Sequence, residues 1–472
     1  TAGPDGTWTW PVDPALTEGA HSFAVSATEN GVTSGLSPAA SVTIDLTAPN
    51  APVIGAVTDD VAPGTGPLTS GQTTNDAQPT LSGRGTPGET ITVYDNDTPI
   101  GTALVGATGS WTFTPTEALG EGNHSLTITA TDPAGNESDP SAAFTLVVDT
   151  VSLTPTITNV SDNVDPVQGT IPTNGVTNDN TPTLTGTAEP NSVVTISDGN
   201  TVLGTAIANA SVTWTFTPPL AEGTHNFTVI ATDPQGNVSD ASTPWTVVVD
   251  TTAPTLPVIT SVSDNVEGGT GNLTNGQLTN DATPTLTGTG EEGSTVRILD
   301  GNTVIGSVVV GEGGTWSFTP EPALTNGPHS LRVNAIDPAG NVSANSPVFT
   351  ITVDITPPAA PAITSVVDDV GPATGTLASG ASTNDNLPTF NGTGEVGATI
   401  QIFDNDALIG TAVVSAAGTW TFTPTTALTD GPHVFSLSAV DAAGNTSVTS
   451  TLYNLTVDTA APNTPTLLSV TD

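Results

Sequence analysis

Between residues 251 and 354 the chain alternates apolar and polar residues in short runs. VITSVSDN, beginning at Val258, has the period of two expected of a half-buried strand. PTLTGTG and STVRILDGNTVIGSVVV follow, the second divided by Asp300, Gly301 and Asn302, residues that accept the positive φ of a hairpin turn. TWSFT puts Trp316 and Phe318 on one face; HSLRVNAID does the same with Leu331, Val333 and Ala335, and FTITVD with Phe349, Ile351 and Val353. The stretch GGTGNLTNGQLTND, ending in Asn280 and Asp281, is rich in Gly and Asn and is expected to be a loop. About seven short strands, turns of Gly, Pro and Asn, and no sustained helical period predict an all-β sandwich.

The pattern recurs. Trp8, Trp111, Trp214, Trp316 and Trp420 are 103, 103, 102 and 104 residues apart. His21, His124, His225, His329 and His433 keep the same register, as do Asp45, Asp149, Asp250, Asp354 and Asp458. A fixed period of this length means tandem copies of one sandwich module. The expected organisation is the C-terminal part of a repeat at 1–45, four repeats at 46–149, 150–250, 251–354 and 355–458, and the start of another at 459–472. Prolines such as Pro254 and Pro257 make the connections short and semi-rigid, so the array is expected to extend as a rod. The first segment lacks the upstream strands and should not close a sandwich alone. It also has Trp10 where the others have Phe, and Glu29-Asn30-Gly31 in place of a D-P-x-G-N motif.

Charge narrows the partners. Lys and Arg number 3 against 46 acidic residues, a net charge of −43, and all three bases are arginines: Arg84, Arg297 and Arg332. Such a surface repels nucleic acid and anionic lipid and concentrates cations, calcium foremost. Charged residues are only 10% of the chain and apolar residues 35%, which suits packed cores better than an acidic tail. With no Cys there is neither a disulfide framework nor thiol chemistry. No apolar run of about 18 residues predicts a membrane span.

VDTTAP (249–254), SVSDNV (261–266), TND (279–281) with PTLTGTG (284–290), DGNTVIG (300–306), GTWSFTP (314–320) and DPAGN (337–341) together resemble the bacterial immunoglobulin-like repeats of giant secreted adhesins and biofilm-associated surface proteins. The resemblance covers nearly the whole chain. It implies an Ig-like fold, calcium at the junctions between domains, an extracellular location on the bacterial surface, and a spacer or adhesive stalk. On the Ig topology the last strand and the loop after the first strand share one pole of a repeat, and the turn between the last two strands lies at the other. Junctional oxygen sets follow, of the kind a hard cation requires. They are Asp59, Asp60, Asp76 and Asp149 with Asp233 and Asn237; Asp162, Asp179 and Asp250, with Asp198 as a further candidate, facing Asp337 and Asn341; and Asp264, Asp281 and Asp354 with Asp441 and Asn445. Asp368, Asp385 and Asp458 close the fourth repeat, and Glu189, Glu291 and Glu395 recur in a neighbouring loop.

Each of these residues has a plainer reading. Asp and Asn are good turn formers, and D-P-x-G-N makes a tight turn whether or not Asp132, Asp233, Asp337 and Asp441 also bind metal. The histidines stand one to a repeat, so a catalytic cluster within a domain is excluded; a ring hydrogen bond to nearby backbone, like that of a corner tyrosine, is expected. The Trp and Phe pair is expected in the core, and only Tyr94, Trp245 and Tyr453 depart from the core pattern as candidate sugar platforms. Because every candidate recurs in every repeat, no unique catalytic constellation exists and an enzyme is not expected. The expected partners are calcium ions and neighbouring repeats. Beyond these stand two alternatives: repeats that bind a host or bacterial receptor or glycan directly, and like chains joined by strand exchange into a surface filament.

Overall fold

A computed structural model describes residues 1–466 and 468. Its elements are all β-strands. The chain forms two compact units, residues 1–162, 169–175 and 181–248 in one and 163–168, 176–180 and 249–472 in the other.

In the repeat at 251–354 a four-stranded sheet runs in the order Gly271–Asn272, Val258–Asp264, Thr285–Thr289, Thr315–Phe318. A five-stranded sheet runs Gln277–Thr279, Phe349–Val353, Gly327–Ile336, Thr295–Asp300, Thr303–Val309. Both orders recur in the other three repeats. The Gly/Asn-rich stretch expected to be a loop therefore supplies two strands. Gln277–Thr279 pairs parallel with the closing strand, Thr279 opposite Val353, and so fixes the end of the loop against the end of the repeat. Three residues are too few for a period to register.

The inward faces form one core per repeat. In this one Val262, Leu286, Val296, Ile298, Leu331 and Val333 are fully buried, and Trp316 is 4% exposed. Each such aliphatic side chain contributes about 1.5–3 kcal/mol. Trp316 and Phe318 fit because glycines face them. Gly288 pairs across the ladder with Trp316, and a Cβ on it would lie 2.2 Å from the indole; a Cβ on Gly306 would lie 2.3 Å from the Phe318 ring. Gly392 and Gly410 make the same room for Trp420 and Phe422.

A serine pair extends the bonding of the long strand beyond its pairing with the closing strand, which ends at Leu331. In Gly327–Ile336, the amides of Ala335 and Val333 donate to the hydroxyls of Ser343 and Ser346 at 2.9 and 3.0 Å, while the serine amides donate back to the same residues' carbonyls at 2.9 and 2.8 Å. Ser138 with Ser141, Ser239 with Ser242, Ser447 with Ser450, and Ser34 with Ser37 repeat the device.

The first segment stays open. Gly19–Phe23 pairs with Ala40–Ile44, and a hairpin joins Thr28–Glu29 to Val32–Thr33 across Asn30 and Gly31, both at positive φ. Trp8 is 53% and Trp10 65% exposed, where Trp111 is 2% exposed. At the other end the expected start of a further repeat falls partly on residues 467 and 469–472, outside the described residues.

Gly306→Ala overpacks against Phe318 and is expected to cost about 1–3 kcal/mol. Calorimetry of the full chain should then show one repeat melting earlier and the other transitions in place.

Candidate functional site

Each D-x-x-G-N turn is organised by its own aspartate. Asp441 Oδ1 accepts the amides of Ala443, Gly444 and Asn445 at 2.8, 2.8 and 2.9 Å, with Gly444 supplying the positive φ of 103°. Asp441 Oδ2 accepts Asn445 Nδ2 at 2.9 Å, and the same nitrogen donates to the carbonyl oxygen of Asp354 at 2.7 Å. The turn role expected of the motif is thus present, and so is the facing of Asn445 and the closing aspartate. What joins them directly is a side-chain amide on a backbone carbonyl. Asn136 reaches Asp45 in this way at 3.0 Å, Asn237 reaches Asp149 at 2.8 Å, and Asn341 reaches Asp250 at 2.7 Å. In the first repeat the bond from Asn136 holds the Asp132 carboxyl below its usual range.

The aspartate after the first strand belongs to a buried relay. Asp264 accepts the Val266 amide and the Thr279 hydroxyl; Thr279 in turn accepts the Asp281 amide at 3.1 Å. Asp281 accepts the Asn265 amide at 3.2 Å and the Thr283 amide at 2.8 Å. Asp59, Thr74 and Asp76 repeat the relay, as do Asp368, Thr383 and Asp385. Asp60 gives its backbone amide to Asp76. Asp162 is 8% exposed and Asp179 fully buried, with Asp179 accepting the Asn163 amide. Asp354 and Asp458 hold the linker amides of Thr356 and Ala460, and Glu189 and Glu291 those of Leu153 and Thr255.

Among the described residues no three His, Asp or Glu side chains stand together as a metal-binding group. The acids still feel one another. Burial, reinforced by Asp233, Glu189 and Glu121, pushes the Asp149 carboxyl above its usual range, and burial with Asp59 and Asp60 does the same to Asp76.

Within the second unit three oxygens of different kinds lie close to Gly269. A Cβ on Gly269 would lie 3.1 Å from Asp264 Oδ2, 3.6 Å from the Ala443 carbonyl oxygen and 3.7 Å from Asn280 Oδ1. Asn280 is 8% exposed; its Nδ2 donates to the Glu267 carbonyl, and its Oδ1 has no hydrogen-bond partner. Glu267, Asn280, Gln401 and Asn445 line the adjoining cleft of about 520 Å³. A carboxylate oxygen, an amide oxygen and a backbone carbonyl are hard donors suited to calcium. Asn280 was not among the residues expected at the site. Its signal is the orphaned oxygen, which no sequence displays.

The histidines hold the hairpin. Nε2 of His124, His225, His329 and His433 donates to the carbonyl four residues earlier, at 2.7, 2.9, 2.8 and 2.7 Å. Nδ1 meets Asp95, Asp198, Asp300 or Asp404, each at 2.7 Å. The backbone bond was expected. The aspartate partner was not, and it removes Asp198 from the junction, because that carboxylate serves His225 and the Asn226 amide. The supposed sugar platforms are packed: Trp245 and Tyr453 lie against their cores, the Tyr453 hydroxyl donating to the Leu377 carbonyl at 2.5 Å, and the half-buried Tyr94 faces Glu137 at 3.4 Å.

Two sheets in these orders, closed over a Trp core and repeated in tandem, define an Ig-type sandwich array. Residues 51–150, 154–251, 255–355 and 360–459 each match the bacterial Ig-like domain, and the chain belongs to that family. Over 274 residues, 55% of its length, it is 30% identical to exoglucanase B of Cellulomonas fimi, of which the match spans 22%. Among solved structures, a tetra-tandem repeat from the extending region of a large adhesion protein is 21% identical, with 87% of this chain and 100% of that one covered and a TM-score of 0.30. The BSP domain of a biofilm-associated protein is 12% identical, with 89% and 99% covered and a TM-score of 0.16.

Two outcomes test the junction. Asn445→Ala leaves the Asp354 carbonyl without its donor and is expected to cost about 1–3 kcal/mol, read by denaturant unfolding of the full chain. The folded pKa of Asp149 is raised, so ionising it opposes folding. The penalty is absent at low pH, where the carboxyl is protonated folded and unfolded, and grows as pH rises through the ordinary carboxylate value to the raised one. In chelator Asp149→Asn is therefore expected to melt higher than the parent at neutral pH, and the difference should vanish on acidification.

Proposed function

We propose that this chain is a length of the stalk of a bacterial cell-surface adhesin, a non-enzymatic extracellular spacer that supports adhesion and biofilm formation and is stiffened by calcium at its junctions. The observation that supports the reading is the nine-tenths buried Asn280, whose amide oxygen has no partner and lies with oxygens of Asp264 and Ala443 beside Gly269, as one side of a cradle. A buried polar atom left unpaired is unfavourable by about 1–3 kcal/mol unless something answers it. A bound calcium ion would supply the positive charge and take this oxygen as a ligand.

The chain's own residues do the rest. Asp264 and Asn280 come from the repeat at 251–354 and Ala443 from the D-x-x-G-N turn of the next, so a shared cation would tie the two. Close contact there is already built in: a Cβ on Gly268 would lie 2.4 Å from the Gly444 carbonyl. The Asp149 group, with Asp233, Glu189 and Glu121 around it, gives a second junction the negative charge that a cation would neutralise. A net charge of −43 concentrates divalent cations at both. Extracellular calcium modules bind on the order of 10⁻⁴ to 10⁻³ M, so these junctions would stiffen outside a cell and slacken inside.

Calorimetric titration of the full chain with calcium tests the reading. Asn280→Ala and Asp264→Asn are each expected to remove one bound ion and leave the remaining sites unchanged. An unaltered stoichiometry in both variants would contradict the cradle as a calcium site.

A further inference from the structure

The repeat at 251–354 departs from its siblings on one sheet face. In strands Thr295–Asp300 and Gly327–Ile336 the side chains of Val296, Ile298, Leu331 and Val333 point inward and are fully buried. Positions 297, 299, 332 and 334 lie on the opposite face, with Arg297 opposite Asn334 and Leu299 opposite Arg332; Leu299 and Asn334 are buried there and the two arginines half-buried. The same four positions hold Thr92, Tyr94, Thr127 and Thr129 in the first repeat, and Thr195, Ser197, Thr228 and Ile230 in the second. In the fourth they hold Gln401, Phe403, Ser436 and Ser438. Two of the chain's three basic residues thus share one small face, diagonal neighbours about 7–8 Å apart at Cα.

Neither arginine has an anion. Arg297 Nε donates to Asn334 Oδ1 at 2.9 Å, and Asn334 Nδ2 donates to Asn345 Oδ1 at 2.9 Å. Arg332 Nη2 donates to Asn302 Oδ1, and Arg332 Nε is buried without a partner. Among the described residues the ion pairs are those of histidine with aspartate, although the chain carries 46 acidic residues. Asp300, the nearest acid along the ladder, is committed to His329 Nδ1 at 2.7 Å and to the Ser330 amide at 2.8 Å. Two guanidiniums on one sheet face, each answered only by a neutral amide, leave positive charge there that an anion such as a carboxylate would neutralise.

We propose that this face binds a carboxylate-bearing sugar unit, of the uronic acid class. The cleft beside Arg332, lined by Gly301, Asn302, Ser330 and Val348, measures about 170 Å³ and so admits one ring-sized group. Asn302 and Ser330 in its lining carry an amide and a hydroxyl, groups that suit sugar hydroxyls. A net charge of −43 repels an extended polyanion, so the acidic sugar is terminal or set among neutral units. The proposal goes beyond the stalk reading and does not depend on calcium.

The test titrates the full chain, in chelator, with methyl glucuronide, and in parallel with methyl glucoside, acetate and N-acetylglutamate. Saturable binding of the glucuronide is expected, at least tenfold tighter than any of the other three. Arg297→Gln and Arg332→Gln should each weaken it at least tenfold, Arg332→Lys should fall between parent and Arg332→Gln, and Arg84→Gln should match the parent. If Arg332→Gln melts early, the Arg332→Lys and Arg297→Gln arms still read the site. Absence of saturable glucuronide binding, equal binding of acetate or N-acetylglutamate, or affinity unchanged in both arginine variants would overturn the proposal.

Discussion

The side-chain amide of the asparagine that ends each D-x-x-G-N turn, laid on the carbonyl of the preceding closing aspartate, is the contact that ties each turn to the end of the strand before it. Asn445 on Asp354 and Asn237 on Asp149 make it at 2.7 and 2.8 Å. It is a neutral bond placed where charge accumulates. The turn that presents the asparagine carries an aspartate, the carbonyl that receives it belongs to another, and Glu189 and Glu121 crowd Asp149 further. One hydrogen bond contributes about 0.5–1.5 kcal/mol net. Like charges oppose it, so the junction is poised and a cation would weigh heavily on it.

Everything inside a repeat serves to bring those groups to its ends. The Trp core closes the sandwich, glycines such as Gly288 and Gly306 let the Trp and Phe rings lie against the facing strands, and the serine pair bonds the stretch of the long strand that the closing strand does not reach. The parallel pairing of Gln277–Thr279 with the closing strand carries the Asp354 amide onto the Thr279 carbonyl at 2.8 Å. Thr279 also bridges Asp264 and Asp281. A single three-residue strand therefore sets both the loop aspartates and the closing one.

Much of the repeat was legible. Period-two alternation located the seven principal strands, and the spacing of Trp, His and Asp exposed the tandem organisation, because both depend on local pattern. Contacts chosen by tertiary register were not legible. Nothing near Asp198 in sequence marks His225 as its partner, so it was expected at a junction. Gly288 and Gly306 look like ordinary strand glycines until the rings opposite are seen. Asn237, Asn341 and Asn445 were placed correctly as facing the closing aspartates, yet the atom that bridges is a nitrogen donor. The four outward positions that gather Arg297 and Arg332 lie in two strands more than thirty residues apart, joined by the ladder alone.

Small-angle scattering of the full chain, titrating calcium against chelator while circular dichroism follows strand content, tests the central claim most directly. Junctions held by calcium predict a radius of gyration that rises and saturates near millimolar calcium, with strand content constant. A radius indifferent to calcium across that range would mean that the aspartates serve turns and linkers only.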